Sequence, residues 1–189
     1  DGKKILDDIS FSAKKGQIIG ITGAVACGKS TLGKAFLCEY PYEGHITVDG
    51  AELQNMEQSV RTGIVGYLRH DPELFNDSVE NNVLLGDSKS SDTYLNAACM
   101  KQEVAEMTDG KNTLIGSGGA YLSGGQAKRL AFARTMCHDK PILILDDPFS
   151  ALDKNTEKQA FVPSRERQTR ICVTFPPWMA AFSSRFIMT

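Results

Sequence analysis

The 189 residues are 41% hydrophobic and 23% charged, with a formal net charge of −2, the balance of a globular chain with enough length for one full-sized core or two packed subdomains. That charge gives no electrostatic basis for holding nucleic acid or an anionic membrane surface, and no apolar run approaches the roughly 20 residues that cross a bilayer. Five cysteines, Cys27, Cys38, Cys99, Cys137 and Cys172, are scattered without metal-ligand pairs, which favours free thiols in a reducing cytosol over a disulfide framework.

In chain order, apolar runs at Ile5–Ala13 and Gln17–Thr22 flank Lys15-Gly16 and read as strands paired antiparallel. Lys29–Glu39 has Leu32, Phe36 and Leu37 on one helical face and is ended by Pro41. Two short strands are expected at His45–Val48 and Gly63–Leu68. Asp77–Met107 has no strong strand and reads as short helices. Ser123–Cys137 sets Ala127, Leu130, Ala131 and Arg134 at helical spacing. The apolar strand Ile142–Asp146, a helix at Asp153–Val162 ended by Pro163, and a strand at Arg170–Phe175 complete the series. Strand and helix alternate at both ends around a helical block, which implies an α/β core with an inserted helical subdomain.

Three segments carry chemistry. Gly23-Ala24-Val25-Ala26-Cys27-Gly28-Lys29-Ser30-Thr31 fits G-x-x-x-x-G-K-[ST], directly after a strand and opening a helix. Gly23 and Gly28 let the backbone turn tightly, so that consecutive N–H groups converge on phosphate oxygens. Lys29 reaches the β- and γ-phosphates, and Ser30 offers a hydroxyl to Mg²⁺. The strand Ile142–Asp146 delivers Asp146 as a metal ligand, with Asp147 beside it to polarise an attacking water. Leu122-Ser123-Gly124-Gly125-Gln126 opens a helix with Ser123 as its amino cap, and Ser-Gly-Gly leaves backbone donors open to a second phosphate.

With these segments in this order, the chain resembles ATP-binding domains of ABC transporters over essentially its whole length. Ser150-Ala151-Leu152-Asp153 resembles the family's D-loop, and Tyr42-Glu43-Gly44-His45-Ile46 the stretch before the third strand. Val25, Cys27, Asp146-Asp147-Pro148 and Thr156-Glu157-Lys158 resemble exporter-type domains, subfamily C among them. The resemblance implies a P-loop NTPase core with a mixed sheet, an antiparallel β subdomain and an inserted α-helical subdomain at roughly 72–137. All of residues 1–189 would form one such domain, truncated at both ends. It further implies ATP and Mg²⁺ as cofactors, with Gly23–Thr31 and Ser123, Gly124, Gly125 and Gln126 binding nucleotide and Ser30 and Asp146 binding metal. The partners implied are a second ATP-binding domain, in a head-to-tail dimer around ATP, and transmembrane domains at the cytoplasmic face of a membrane.

Departures from the family pattern bear on hydrolysis. His70 falls where the family has the Q-loop glutamine. Asp147 stands where the most active members have glutamate, and Phe175 stands at the switch histidine. Exporters also tend to carry an acidic residue near Ser117, and the aromatic that stacks on adenine has no counterpart before Phe11. A carboxylate one methylene short displaces the water-activating group by about 1 Å, enough to cost on the order of 10²-fold in rate. The expectation is a domain that binds ATP but hydrolyses it weakly, with Asp147 and His70 as the candidate catalytic residues. The alternative is a non-catalytic, ATP-gated dimerisation or regulatory module.

Overall fold

A central strand that is apolar at every position but its last must be covered on both faces, and Ile142–Asp146 is buried throughout. The computed structural model describes residues 4–116, 120–148, 170–175 and 186–188, with Thr174 the only side chain described in the last two stretches. Ser117, the D-loop match, Thr156-Glu157-Lys158 and the helix expected at Asp153–Val162 lie outside the described residues.

The elements run β1 (Ile18–Thr22), α1 (Lys29–Ala35), β2 (Thr47–Val48), β3 (Ala51–Glu52), α2 (Gln58–Ile64), β4 (Val65–Leu68), α3 (Val79–Leu84), α4 (Asp92–Ala97), α5 (Lys101–Ala105), α6 (Gly124–Cys137), β5 (Ile142–Asp146), β6 (Arg170–Phe175) and β7 (Phe186–Met188). Five strands form one sheet in the order β4-β5-β6-β1-β7. β6 runs parallel to both β1 and β5, with Gly20 opposite Val173 and Asp146 opposite Thr174. The sheet, the phosphate-loop helix and the mixture of strand and helix are those of a P-loop NTPase, as the motifs predicted.

The chain forms two compact units. The first holds residues 4–67 and 140–147 with β6 and β7. Its core joins Ile21, Leu32, Val48, Leu53, Val65, Ile142 and Ile144. Helix α1 lies close against the sheet at Gly33, where a Cβ would sit 2.9 Å from Tyr67 Cε2 and 3.0 Å from Ile144 Cγ2. Any larger residue there would push the phosphate-loop helix off the strands.

The strand expected at Ile5–Ala13 does not form. Its supposed partner β1 is taken on one side by β6 and on the other by β7, so no edge of β1 is left for an antiparallel neighbour. Ile9–Ala13 instead line a cavity of about 420 Å³ together with Ile19, Leu32, Phe36 and Ile46. Antiparallel pairing appears between β2 and β3, across a turn through Asp49 and Gly50, both at positive φ.

The second unit includes residues 68–139. Its helices α3 to α6 bury Val79, Val83, Leu95, Met100, Leu130 and Met136 almost completely. The expected block of short helices is present as α3, α4 and α5. Buried Asn82 ties down the preceding turn: its Oδ1 accepts from Phe75 N at 2.8 Å, and its Nδ2 donates to the carbonyls of Phe75 and Ser78 at 2.9 and 3.0 Å. Lys89 Nζ donates at 2.8 Å to the carbonyl of Cys137, the last residue of α6, a placement the helix dipole favours.

Candidate functional site

The phosphate loop crosses from β1 to α1. Ala26 and Gly28 both take positive φ, at 63° and 98°. Gly28 has a second reason to be glycine, since a Cβ there would come within 2.9 Å of Ile5 Cγ2 and Leu6 Cδ2. Gly23 and Cys27 are half-buried, while Ala24, Val25 and Ala26 stand in solvent, and Val25 is 91% exposed. Lys29 folds back over the loop. Its Nζ donates to the carbonyls of Gly23 and Ala24 at 2.9 and 2.8 Å and lies 3.8 Å from Cys27 Sγ. Ser30 is exposed on the first turn of α1, and Thr31 beside it is half-buried. The ammonium is thus held over the loop's mouth by carbonyls that a phosphate group can replace.

The acids at the end of β5 belong to the same unit. Asp146 is 5% exposed. Its Oδ2 accepts from Tyr67 Oη at 3.2 Å, and its Oδ1 accepts from Thr174 Oγ1 at 2.6 Å. Asp147 takes φ of 50°. Its N–H is held by the Thr174 carbonyl at 3.2 Å and by Thr174 Oγ1 at 3.1 Å. Tyr67 and Thr174 were not among the residues singled out from sequence. Nothing in a linear reading marks a hydroxyl on a neighbouring strand that is distant in sequence.

These groups suit Mg²⁺ with a nucleotide. No group of three or more His, Cys, Asp or Glu that could hold a metal occurs among the described residues. Mg²⁺ takes one or two carboxylates and completes its octahedron with substrate phosphates and water, so one buried carboxylate, one serine hydroxyl and an open loop are a fitting donor set.

The second unit carries the signature segment and His70. Ser123 caps α6 through a closed capping box: Gln126 N donates to Ser123 Oγ at 3.2 Å, and Ser123 N donates to Gln126 Oε1 at 2.9 Å. The rest of the Gln126 amide is also engaged, with Nε2 donating to Glu103 Oε2 at 3.0 Å. Glu103, on α5, receives Arg129 of α6 on its other oxygen at 2.5 Å. Gly124 faces open space, where a Cβ would meet nothing within 4 Å, and Tyr121 before it is 84% exposed. His70 is exposed, and its Nδ1 lies 3.4 Å from the Nζ of buried Lys128. The structure therefore brings Lys29, Ser30, Asp146 and Asp147 into one unit, and Ser123–Gln126 and His70 into the other. Phe175 is placed by its backbone as the last residue of β6.

Residues 6–150 match the ABC transporter family model. The chain belongs to the ABC transporter family. It is 36% identical over 168 residues to a probable multidrug resistance ABC transporter ATP-binding/permease protein of Bacillus subtilis, covering 86% of this chain and 29% of that protein. It is 38% identical over 162 residues to the ATP-dependent lipid A-core flippase of Burkholderia pseudomallei, covering 84% and 27%. Among solved structures, a bacterial Atm1-family ABC exporter with ATP bound superposes with a TM-score of 0.86 at 30% identity, covering 98% of this chain and 34% of that one. The chain thus spans 27–34% of the length of these relatives and corresponds to an ATP-binding domain of the ABC transporter family. Among its described residues no helix is long and apolar enough to cross a membrane.

Proposed function

We propose that this ABC domain serves an exporter, binds ATP with Mg²⁺ at its own phosphate loop, and hydrolyses it slowly. Lys29 and the loop amides hold the phosphates, with Ser30 and Asp146 toward the metal. Mg²⁺, when bound, would supply charge neutralisation at the phosphates. Ser123–Gln126 serve the corresponding site of a second ATP-binding domain in a head-to-tail dimer. Transmembrane segments elsewhere in the transporter, which the relatives' greater length accommodates, would place this domain at the cytoplasmic face.

The observation that carries slow turnover is the anchoring of Asp147. A carboxylate one methylene shorter than glutamate could be compensated by a shift of the main chain. Here the Asp147 N–H is bound to both the carbonyl and the hydroxyl of Thr174, which opposes such a shift. Water-positioning from this residue is therefore weakened, while the groups that hold phosphate are intact. The test is ATP binding and ATP hydrolysis by the 189-residue chain, wild type and Asp147→Glu. Tight binding with turnover well below about 1 s⁻¹, the low end for ordinary enzymes, and a rise on Asp147→Glu are expected. Wild-type turnover at or above that rate overturns the reading.

The contact between His70 and Lys128 supports a second reading, a non-catalytic module closed by ATP. Histidine at the glutamine position is engaged within its own unit, leaving less of it for a nucleotide. In that case Asp147→Glu adds no turnover, alone or with a competent partner domain.

A further inference from the structure

We propose that Tyr67 and Thr174 form a two-sided hydroxyl clamp that sets the orientation of the Asp146 carboxylate, and thereby the divalent-cation share of nucleotide affinity. The proposal rests on the reading that this unit binds ATP with Mg²⁺. The sheet order places β5 between β4 and β6, and each neighbour sends one hydroxyl to a different oxygen of the same carboxylate. Tyr67 comes from β4, at 3.2 Å from Oδ2, and Thr174 from β6, at 2.6 Å from Oδ1.

The directions of these bonds are fixed by chemistry. Thr174 Oγ1 accepts from the Asp147 N–H, and its single proton goes to Asp146. Thr174 is 1% exposed and Asp146 5% exposed, so water competes little for either group. A carboxylate oxygen has two lone-pair positions. One on each oxygen is taken by a hydroxyl, and the other is left with its direction set. The tyrosine side of the clamp is braced in turn. The Cβ that Gly33 lacks would lie 2.9 Å from Tyr67 Cε2 and 3.4 Å from Tyr67 Oη, so the ring lies directly against α1, the helix whose first turn carries Lys29 and Ser30. The acid is thereby held relative to the phosphate loop by hydroxyls on the two neighbouring strands. Tyr67 and Thr174 are positioning residues.

Isothermal titration of ATP into the 189-residue chain, once with EDTA and once with Mg²⁺, tests this. Wild type is expected to bind ATP in EDTA and more tightly with Mg²⁺. Tyr67→Phe and Thr174→Val should keep the EDTA affinity within about twofold and lose about tenfold of the Mg²⁺-dependent gain, the scale of a lost hydrogen bond to a charged group. Thr174→Ser keeps the hydroxyl and should restore the gain. Equal losses with and without Mg²⁺ in Tyr67→Phe, or a Thr174→Ser variant that loses the Mg²⁺ gain, overturn the clamp and leave the hydroxyls a merely structural role. A wild type that binds ATP equally well in both conditions overturns the Mg²⁺ part of the proposed function and the clamp with it, one that binds no ATP overturns the whole of both, and a Mg²⁺ gain in wild type that Tyr67→Phe and Thr174→Val both keep overturns the clamp alone.

Discussion

The Lys29 ammonium donates to the Gly23 carbonyl at 2.9 Å, closing the phosphate loop on itself. The same Nζ also donates to the Ala24 carbonyl, so one side chain bridges two carbonyls of the loop. Binding of a triphosphate exchanges these neutral acceptors for charged ones. Lys29→Met removes both bonds and should lower melting without nucleotide by a few degrees. The stabilisation by ATP, about 2.7 kcal/mol at a concentration of 100 Kd for wild type, should vanish. Thermal melts with and without ATP read both effects. A full ATP shift in the variant would show that the lysine does not hold phosphate.

Gly28→Ala combines two penalties. An alanine would sit at φ of 98°, with its Cβ 2.9 Å from the side chains of Ile5 and Leu6. The strained backbone alone costs on the order of 1–3 kcal/mol. Urea unfolding should show that loss together with weakened ATP binding. Ile5→Ala in the same chain, which opens space for the methyl, should recover part of the stability and none of the backbone strain.

Glu103 receives both Gln126 Nε2 and Arg129, so Glu103→Ala takes one acceptor from two donors at once. The expected cost is about 1–3 kcal/mol, against about 1 kcal/mol for the amino-cap change Ser123→Ala. Denaturant titration of each variant gives the comparison. A Glu103→Ala loss smaller than that of Ser123→Ala would contradict this weighting of the two contacts.

Acid should loosen the second unit. Asp77, Asp87 and Asp92 are each held below the ordinary value of 3.8, chiefly by the side chains of Asn81, Lys89 and Lys111 respectively. Carboxyls depressed on folding bind fewer protons in the folded state than in the unfolded one. The stability they supply is present above their unfolded value and is lost as pH falls through the lowered one. Melting temperatures taken from about pH 6 down to about pH 3 should fall, and Asp87→Asn should make that fall shallower.

What was legible from sequence was what is contiguous in it. The phosphate loop, the acid-ended strand and the Ser123 cap each declare themselves within ten residues, because the turn, the helix start and the ligand are made by neighbours. The short helices between Asp77 and Met107 were legible for the same reason. Ile5–Ala13 reads as a strand because its apolar residues alternate with polar ones toward Ala13, but a strand also needs an open edge to pair with. Both edges of β1 are filled by β6 and β7, which come from the far end of the chain. Tyr67, Thr174 and Glu103 escaped notice because their contacts depend on strand order and on which helices meet.

The closed capping box has a consequence for anything that meets the signature segment. Both ends of the Gln126 amide are used inside the unit, one on Ser123 and the other on Glu103, so the turn keeps its shape without help. A visiting molecule finds Gly124 open and the Ser123 and Gln126 side chains already engaged. It would lose little entropy to ordering this surface, and its residence there would be governed by what it brings rather than by any rearrangement of the host.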